Sequence, residues 1–143
     1  MNESAQLQNL LGQYGKRLNT QLRLENGVCA LFTAQKQEAA IIELPPGSDA
    51  MILHCYIREL AEDVAADLLR GLLALNFEMD AMRGCWLAFD ERQLRLCTQQ
   101  RVSGLDSRSF TSLLDGFIQQ AEEVKLFIAE FITSLTTPLA VRG

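Results

Sequence analysis

The fold is decided by LLALNFEMDAMRGCWLAFDERQLRLC, residues 72–97. Its first part continues a helical stripe of leucines that begins upstream, and Arg83-Gly84 ends that apolar run. Two short apolar segments follow, separated by the polar residues 90–93, which is the pattern of a helix followed by a β-hairpin. No residue of the stretch stands beside an obvious catalytic partner. Its hydrophobicity therefore indicates protein packing and protein binding rather than chemistry.

The rest of the chain extends this pattern on both sides. A first helix is predicted over residues 4–18, followed by strands at 28–33, 39–44 and 50–58. Glu62 and Asp63 are predicted to open the second helix, because carboxylates favour the positive end of a helix. Strands are predicted at 85–89 and 94–102, and a long last helix, capped by Asp106 or Ser107, runs to near Thr133.

The element order α-β-β-β-α-β-β-α predicts an α+β fold. Adjacent strands joined by short turns favour a twisted antiparallel sheet packed by helices. We expect a single domain over residues 1–135 and a loose C-terminal tail over 136–143.

Composition excludes several classes of function. The chain has 143 residues and a net charge of −5, and an acidic balance argues against nucleic acid and against anionic membrane surfaces. No apolar run approaches the length of a membrane helix, and the first residues lack the pattern of a signal peptide. We therefore expect no nucleic acid, no membrane insertion and a cytoplasmic location.

The residues that usually carry chemistry are sparse. There is no phosphate-binding glycine loop and no metal-ligand spacing, so we expect no enzyme activity, no metal and no cofactor. The one histidine, His54, lies in a predicted strand and is interpreted as a hydrogen-bonded core or interface residue. The four cysteines have no paired spacing and lie in apolar segments, which favours buried free thiols.

Two elements carry more apolar residues than one domain needs. The second helix extends its apolar surface beyond one face at Leu75 and Phe77, and the strand around Trp86 is apolar on both faces. A second subunit is the simplest cover for such surfaces.

In its order of elements and its apolar pattern the chain resembles the class I type III secretion chaperones, the Tir-chaperone-like family. In that family a helix ending in an LLxxN-like motif leads into a glycine-marked strand, a second strand and a long amphipathic helix. The positions that carry the resemblance here are Leu72, Leu73, Asn76, Gly84, Leu87, Leu94, Leu96 and the helix from Phe110 to Phe131.

The resemblance implies a function without catalysis. Such chaperones are cytoplasmic homodimers of Gram-negative bacteria. Each binds the N-terminal region of a secreted effector, holds it extended and presents it to the secretion ATPase. They hydrolyse no nucleotide themselves.

The resemblance also directs attention to two surfaces. The second helix and the following strand form the dimer contact, for which we expect Leu68, Leu72, Leu75, Phe77, Cys85 and Trp86. The first helix and the sheet receive the client, for which we expect Leu7, Leu10, Leu11, Tyr14, Phe32, Ile41 and Leu96. Gly12 and Gly15 in the first helix are expected to permit close approach of another chain.

Two other functions remain open from the sequence. One is a non-catalytic scaffold subunit of another assembly, which shares the dimer but not the unfolded client. The other is a small-ligand-binding or enzymatic α+β domain whose polar groups come together only in space, and such a site would be a closed pocket.

Overall fold

The computed structural model describes residues 2–136. The helices are α1 Glu3–Arg17, α2 Ala66–Asn76, α3 Met79–Met82 and α4 Ser107–Thr136, and the strands are β1 Val28–Phe32, β2 Glu38–Glu43, β3 Ala50–Glu59, β4 Trp86–Asp90 and β5 Gln93–Arg101. The predicted α+β class is confirmed, with the short helix α3 as an addition. Each predicted strand agrees with the observed one to within one residue at either end.

The five strands form one antiparallel sheet in the order β1-β2-β3-β5-β4. Strand β3 lies at its centre, and its residues alternate between a fully buried face and a half-buried face. The buried face carries Met51, Leu53 and Cys55, while Ile52 and His54 belong to the other face. This alternation follows from the two-residue period of a strand.

Helix α4 packs on β2 and β3 of the buried face, and helix α1 packs against α4. Tyr14 of α1 meets the ring of Phe110 of α4 edge-on at 6.1 Å between centroids. Its hydroxyl donates a hydrogen bond to Asp115 Oδ1 at 2.6 Å. We call the opposite face of the sheet, which α1 and α4 leave uncovered, the open face.

The second helix begins later than predicted. Glu62 and Asp63 lie outside it, since α2 begins at Ala66 after an extended Ala65. At its end the Asn76 side chain donates to the Leu87 carbonyl at 3.2 Å and accepts from the Leu87 N–H at 2.7 Å. The side-chain amide of Asn76 thus links the end of α2 to β4 through two hydrogen bonds.

Helix α4 begins with a side-chain cap and runs further than predicted. Asp106 is the cap, because its Oδ1 accepts from the Ser109 N–H at 2.8 Å. The helix continues to Thr136, the first residue of the predicted tail. The other tail residues, 137–143, lie outside the described part of the chain. Within that part, no helix combines the length and the hydropathy that crossing a membrane requires.

Candidate protein-binding surfaces

The apolar stripe of α1 belongs to the core. Leu7, Leu10, Leu11 and Tyr14 are at most 4% exposed, so these side chains offer almost no surface to a client in this conformation. The stripe lies in the hydrophobic core, where α1 packs against α4. This burial corrects its assignment to the client surface. The surface proposed below uses exposed residues instead.

The two glycines of α1 also have a different role from the expected one. A Cβ on Gly15 would lie 2.6 Å from the carbonyl oxygen of Thr20, so this glycine lets the chain turn back tightly on its own helix. A Cβ on Gly12 would meet nothing within 4 Å. The close approach at Gly15 is therefore within the chain and not with a second chain.

The three sheet residues expected at the client surface separate onto two faces. Leu96 points into the core and is completely buried. Ile41 lies half-buried on the open face, in register with His54 and Ala30. Phe32 of β1 is 62% exposed. Ile41 and Phe32 thus remain available to a partner, whereas Leu96 does not.

Strand β1 is an edge strand whose outer side is only partly used. The N–H and the carbonyl of Val28 bond to Glu25 on that side, at 3.1 and 2.9 Å. Because bonding direction alternates along a strand, Ala30 turns its N–H and carbonyl to the same side. An open groove of about 560 Å³ follows this edge, lined by residues 21–23, 25 and 28–30.

The expected dimer residues also divide between core and surface. Leu68 and Leu72 face the core and are less than 9% exposed, which corrects their assignment to an interface. Leu75 and Cys85 are half-buried. Phe77 is 78% exposed and Trp86 is 39% exposed, so these two can contact a second subunit.

A second apolar stripe begins on α2 and faces outward, and the spacing of the leucines alone does not separate it from the first. We call it the α2 patch, and all four of its residues are exposed: Leu69 and Leu73 of α2, Phe77, which follows the helix, and Met79, the first residue of α3. The first three follow at intervals of four residues, which is a helical signal of its own.

Apolar pockets flank the α2 patch on both sides. One, of about 230 Å³, lies between α2 and β4 and includes Leu87 and Phe89 in its lining. The other, of about 270 Å³, lies between α2 and α4 and includes Phe127 and Phe131. A Cβ on Gly71 would lie 2.1 Å from the ring of Phe131, so any larger residue at position 71 would require that ring to move. The patch and its pockets form a continuous apolar surface.

Four polar side chains form a network across the open face, which we call the open-face network. His54 Nε2 and Glu43 Oε2 are 2.5 Å apart. Arg95 donates from Nε to His54 Nδ1 at 3.0 Å and from a terminal nitrogen to Glu38 Oε2 at 2.5 Å. His54 is thus hydrogen-bonded at both ring nitrogens, as expected for a structural histidine. The sequence gives no sign of the network, because its members lie on three strands.

The cysteines are free thiols, as predicted. Cys29 and Cys55 are buried, and Cys85 and Cys97 are half-buried. Burial raises the pKa of all four thiols, and that of Cys55 reaches about 11. A thiol with a raised pKa is a poor nucleophile near neutral pH. In residues 2–136 no group of three or more metal-ligating side chains lies together.

The chain is similar in sequence to one protein family. The family model described as Tir chaperone protein (CesT) matches residues 9–125. This confirms the resemblance drawn from the residues. No curated protein sequence gives a significant match.

Solved structures share the fold at low sequence identity. A chain of the ExsC–ExsE complex matches with a TM-score of 0.74 and 18% identity, covering 90% of this chain and 97% of that one. A chain of the HopA1–SchA chaperone–effector complex matches with a TM-score of 0.67 and 15% identity, over 85% and 94%. A chain of the ExoU–SpcU complex from Pseudomonas aeruginosa matches with a TM-score of 0.59 and 18% identity, over 83% and 94%.

Proposed function

Because the chain belongs to the Tir chaperone protein (CesT) family, we propose that it is a cytoplasmic, homodimeric chaperone of a Gram-negative bacterium. It binds the N-terminal region of a type III secreted effector, keeps that region extended, and delivers it to the secretion apparatus, including its ATPase. Among the similar structures, one is described as a chaperone–effector complex. The observation that carries the proposal is an extensive apolar surface, open to solvent, on a chain of this family.

The client is proposed to bind at the β1 edge and the adjoining open face. Phe32 and Val28 supply exposed apolar side chains there, and Ala30 turns its backbone N–H and carbonyl to the outer side of the edge. An extended segment that pairs with a strand edge gains backbone hydrogen bonds, while alternate side chains reach the face of the sheet. This geometry suits an unfolded client, because an unfolded segment has both its backbone groups and its side chains free to bind.

The dimer is proposed to form through the α2 patch. Its members are contiguous with the two pockets on either side of α2, so a second copy of α2 can bury the patch and occupy the pockets. Leaving so much apolar area exposed would favour association of some kind. A symmetric contact uses the same patch on both subunits.

The proposal is tested by identifying and trimming the client. The tagged protein is purified from its native bacterium, and the proteins bound to it are identified. We expect a secreted protein whose binding is lost when its N-terminal region is removed and retained by that region alone. Phe32→Ala is expected to weaken this binding and to leave the dimer intact. Stable association only with subunits of a fixed assembly, independent of a terminal segment, would instead support a scaffold.

A further inference from the structure

The open-face network contains more negative than positive charge. An arginine has no acceptor atom, so the bond from Arg95 Nε requires that His54 Nδ1 be unprotonated. The ring is then neutral and donates its Nε2 proton to Glu43. Arg95 also pairs with Glu38 and offsets its charge. The negative charge of Glu43 is therefore hydrogen-bonded but not neutralised.

Glu43 is also the most accessible member of the network. Its side chain is 41% exposed, against 23% for Glu38, 19% for His54 and 12% for Arg95. The other three are largely covered by one another and by the sheet. A molecule that approaches the open face can therefore reach the Glu43 carboxylate.

On the side towards β1 the neighbours of Glu43 are apolar, and that side adjoins the proposed client. Glu43 is paired in register with Val28 of β1 on one side and Ile52 of β3 on the other. Strand β1 carries no charged residue along its whole length. A segment that covers this surface removes Glu43 from water, and an unpaired buried carboxylate is costly.

We propose that the client segment carries a lysine or arginine that pairs with Glu43, flanked by apolar side chains that cover β1. This inference rests on the proposed function and specifies the chemistry of the client. Glu43 lies one strand in from the edge, so a segment along β1 is about 9.5 Å away, or two strand spacings. A long basic side chain and a glutamate together span that distance. The protein thus selects for charge as well as for hydrophobicity.

The test uses a library of random twelve-residue peptides displayed on phage. It is selected against the immobilised full-length protein, against Glu43→Gln and against Glu123→Gln. Glutamine at position 43 still accepts the hydrogen bond from His54, so the network is retained without the charge. Glu123 lies exposed on α4, and its substitution removes the same charge from a remote surface.

The expected result is a difference in composition. The wild type and Glu123→Gln enrich apolar peptides that contain a lysine or arginine, while Glu43→Gln enriches apolar peptides without a basic preference. A selected peptide is expected to bind Glu43→Gln about five- to tenfold more weakly. Changing its basic residue to glutamine should weaken binding to the wild type by a similar factor and have little effect on Glu43→Gln.

Two outcomes would overturn the inference, and they are distinguishable. If Glu43→Gln selects basic peptides as strongly as the wild type does, the overall negative charge of the protein attracts them, and not Glu43. If the wild type selects apolar peptides with no preference for a basic residue, the pairing with Glu43 is also refuted. Both leave the proposed function standing. If no apolar peptide is enriched on any variant, the proposed client-binding function fails together with the inference.

Discussion

The dimer proposal is tested most sharply by Phe77→Ala in the α2 patch. Phe77 is 78% exposed in the single chain, so the substitution leaves no cavity in the core. We expect the free energy of unfolding of the monomer to change by no more than about 0.5 kcal/mol. Any larger effect on association must then come from contacts between subunits.

The expected loss of dimerisation free energy in Phe77→Ala follows from the exposed area of the Phe77 side chain. A phenylalanine that becomes buried removes about 200 Å² from water, and the exposed share of Phe77 is about 150 Å². At about 25 cal/mol per Å² this corresponds to about 4 kcal/mol for each copy, which is an upper bound. Ordering of side chains and imperfect packing reduce the gain, as in measured interfaces. We therefore expect a loss of at least about 2 kcal/mol per dimer, or a Kd raised about 30-fold.

Sedimentation equilibrium over a range of concentrations measures this change directly. Leu114→Ala in α4 is the control for a change confined to the core, because Leu114 is completely buried and its truncation should cost the folded chain about 2–5 kcal/mol. Phe32→Ala removes an exposed aromatic side chain from the sheet and should leave the dimer unchanged. A wild-type protein that is monomeric at micromolar concentration would contradict the proposed dimer, and a Phe77→Ala dimer as tight as the wild type would show that Phe77 lies outside its interface.

The remaining predictions concern the core. Gly15→Ala should destabilise the fold by about 1–3 kcal/mol because of the clash with the backbone after α1. Gly12→Ala should stabilise the fold by about 0.5–1 kcal/mol, because a Cβ there meets no other atom and alanine favours a helix. Urea unfolding of both variants measures these changes. Burial, aided by the hydrogen bond to Asp115, raises the pKa of Tyr14 to about 12. Its contribution to stability is therefore present below pH 10 and lost as the pH rises towards 12; ultraviolet titration should show a late tyrosine that is absent in Tyr14→Phe. Cys55, with its pKa raised to about 11 by burial, should resist alkylation at pH 8 until the protein unfolds, and rapid labelling of the native protein would contradict this.

The backbone of the fold could be predicted from the sequence, because strand alternation and turn residues are local signals. The start of α2 was misplaced because Glu62 and Asp63 are good helix-opening residues that here lie in the preceding loop. Helix α3 was missed because it has a single turn, Met79–Met82, and is stopped by Arg83, whose φ of 52° is in the left-handed region. Neither the late start of α2 nor the presence of α3 follows from the periodicity of apolar residues.

The binding surfaces were only partly predictable, for a physical reason. On α2 two leucine stripes lie side by side, and hydrophobicity alone does not decide which one faces the core. The stripe with Leu72 is buried, whereas that with Leu73 is exposed. On α1 hydrophobicity likewise does not show whether the single apolar stripe faces the core or a client, and the structure places it in the core. The pairing of Glu43 with His54 depends on strand register and could not be obtained from spacing along the chain.

We propose above that the protein holds the N-terminal region of a secreted client in extended form along β1 and the open face. Hydrogen–deuterium exchange, measured on the chaperone and the client alone and in complex, tests both parts together. We expect slower exchange in the N-terminal segment of the client and at the edge around Ala30, with no change in the rest of the client. Protection confined to a folded domain of the client, or unchanged exchange along β1, would contradict it.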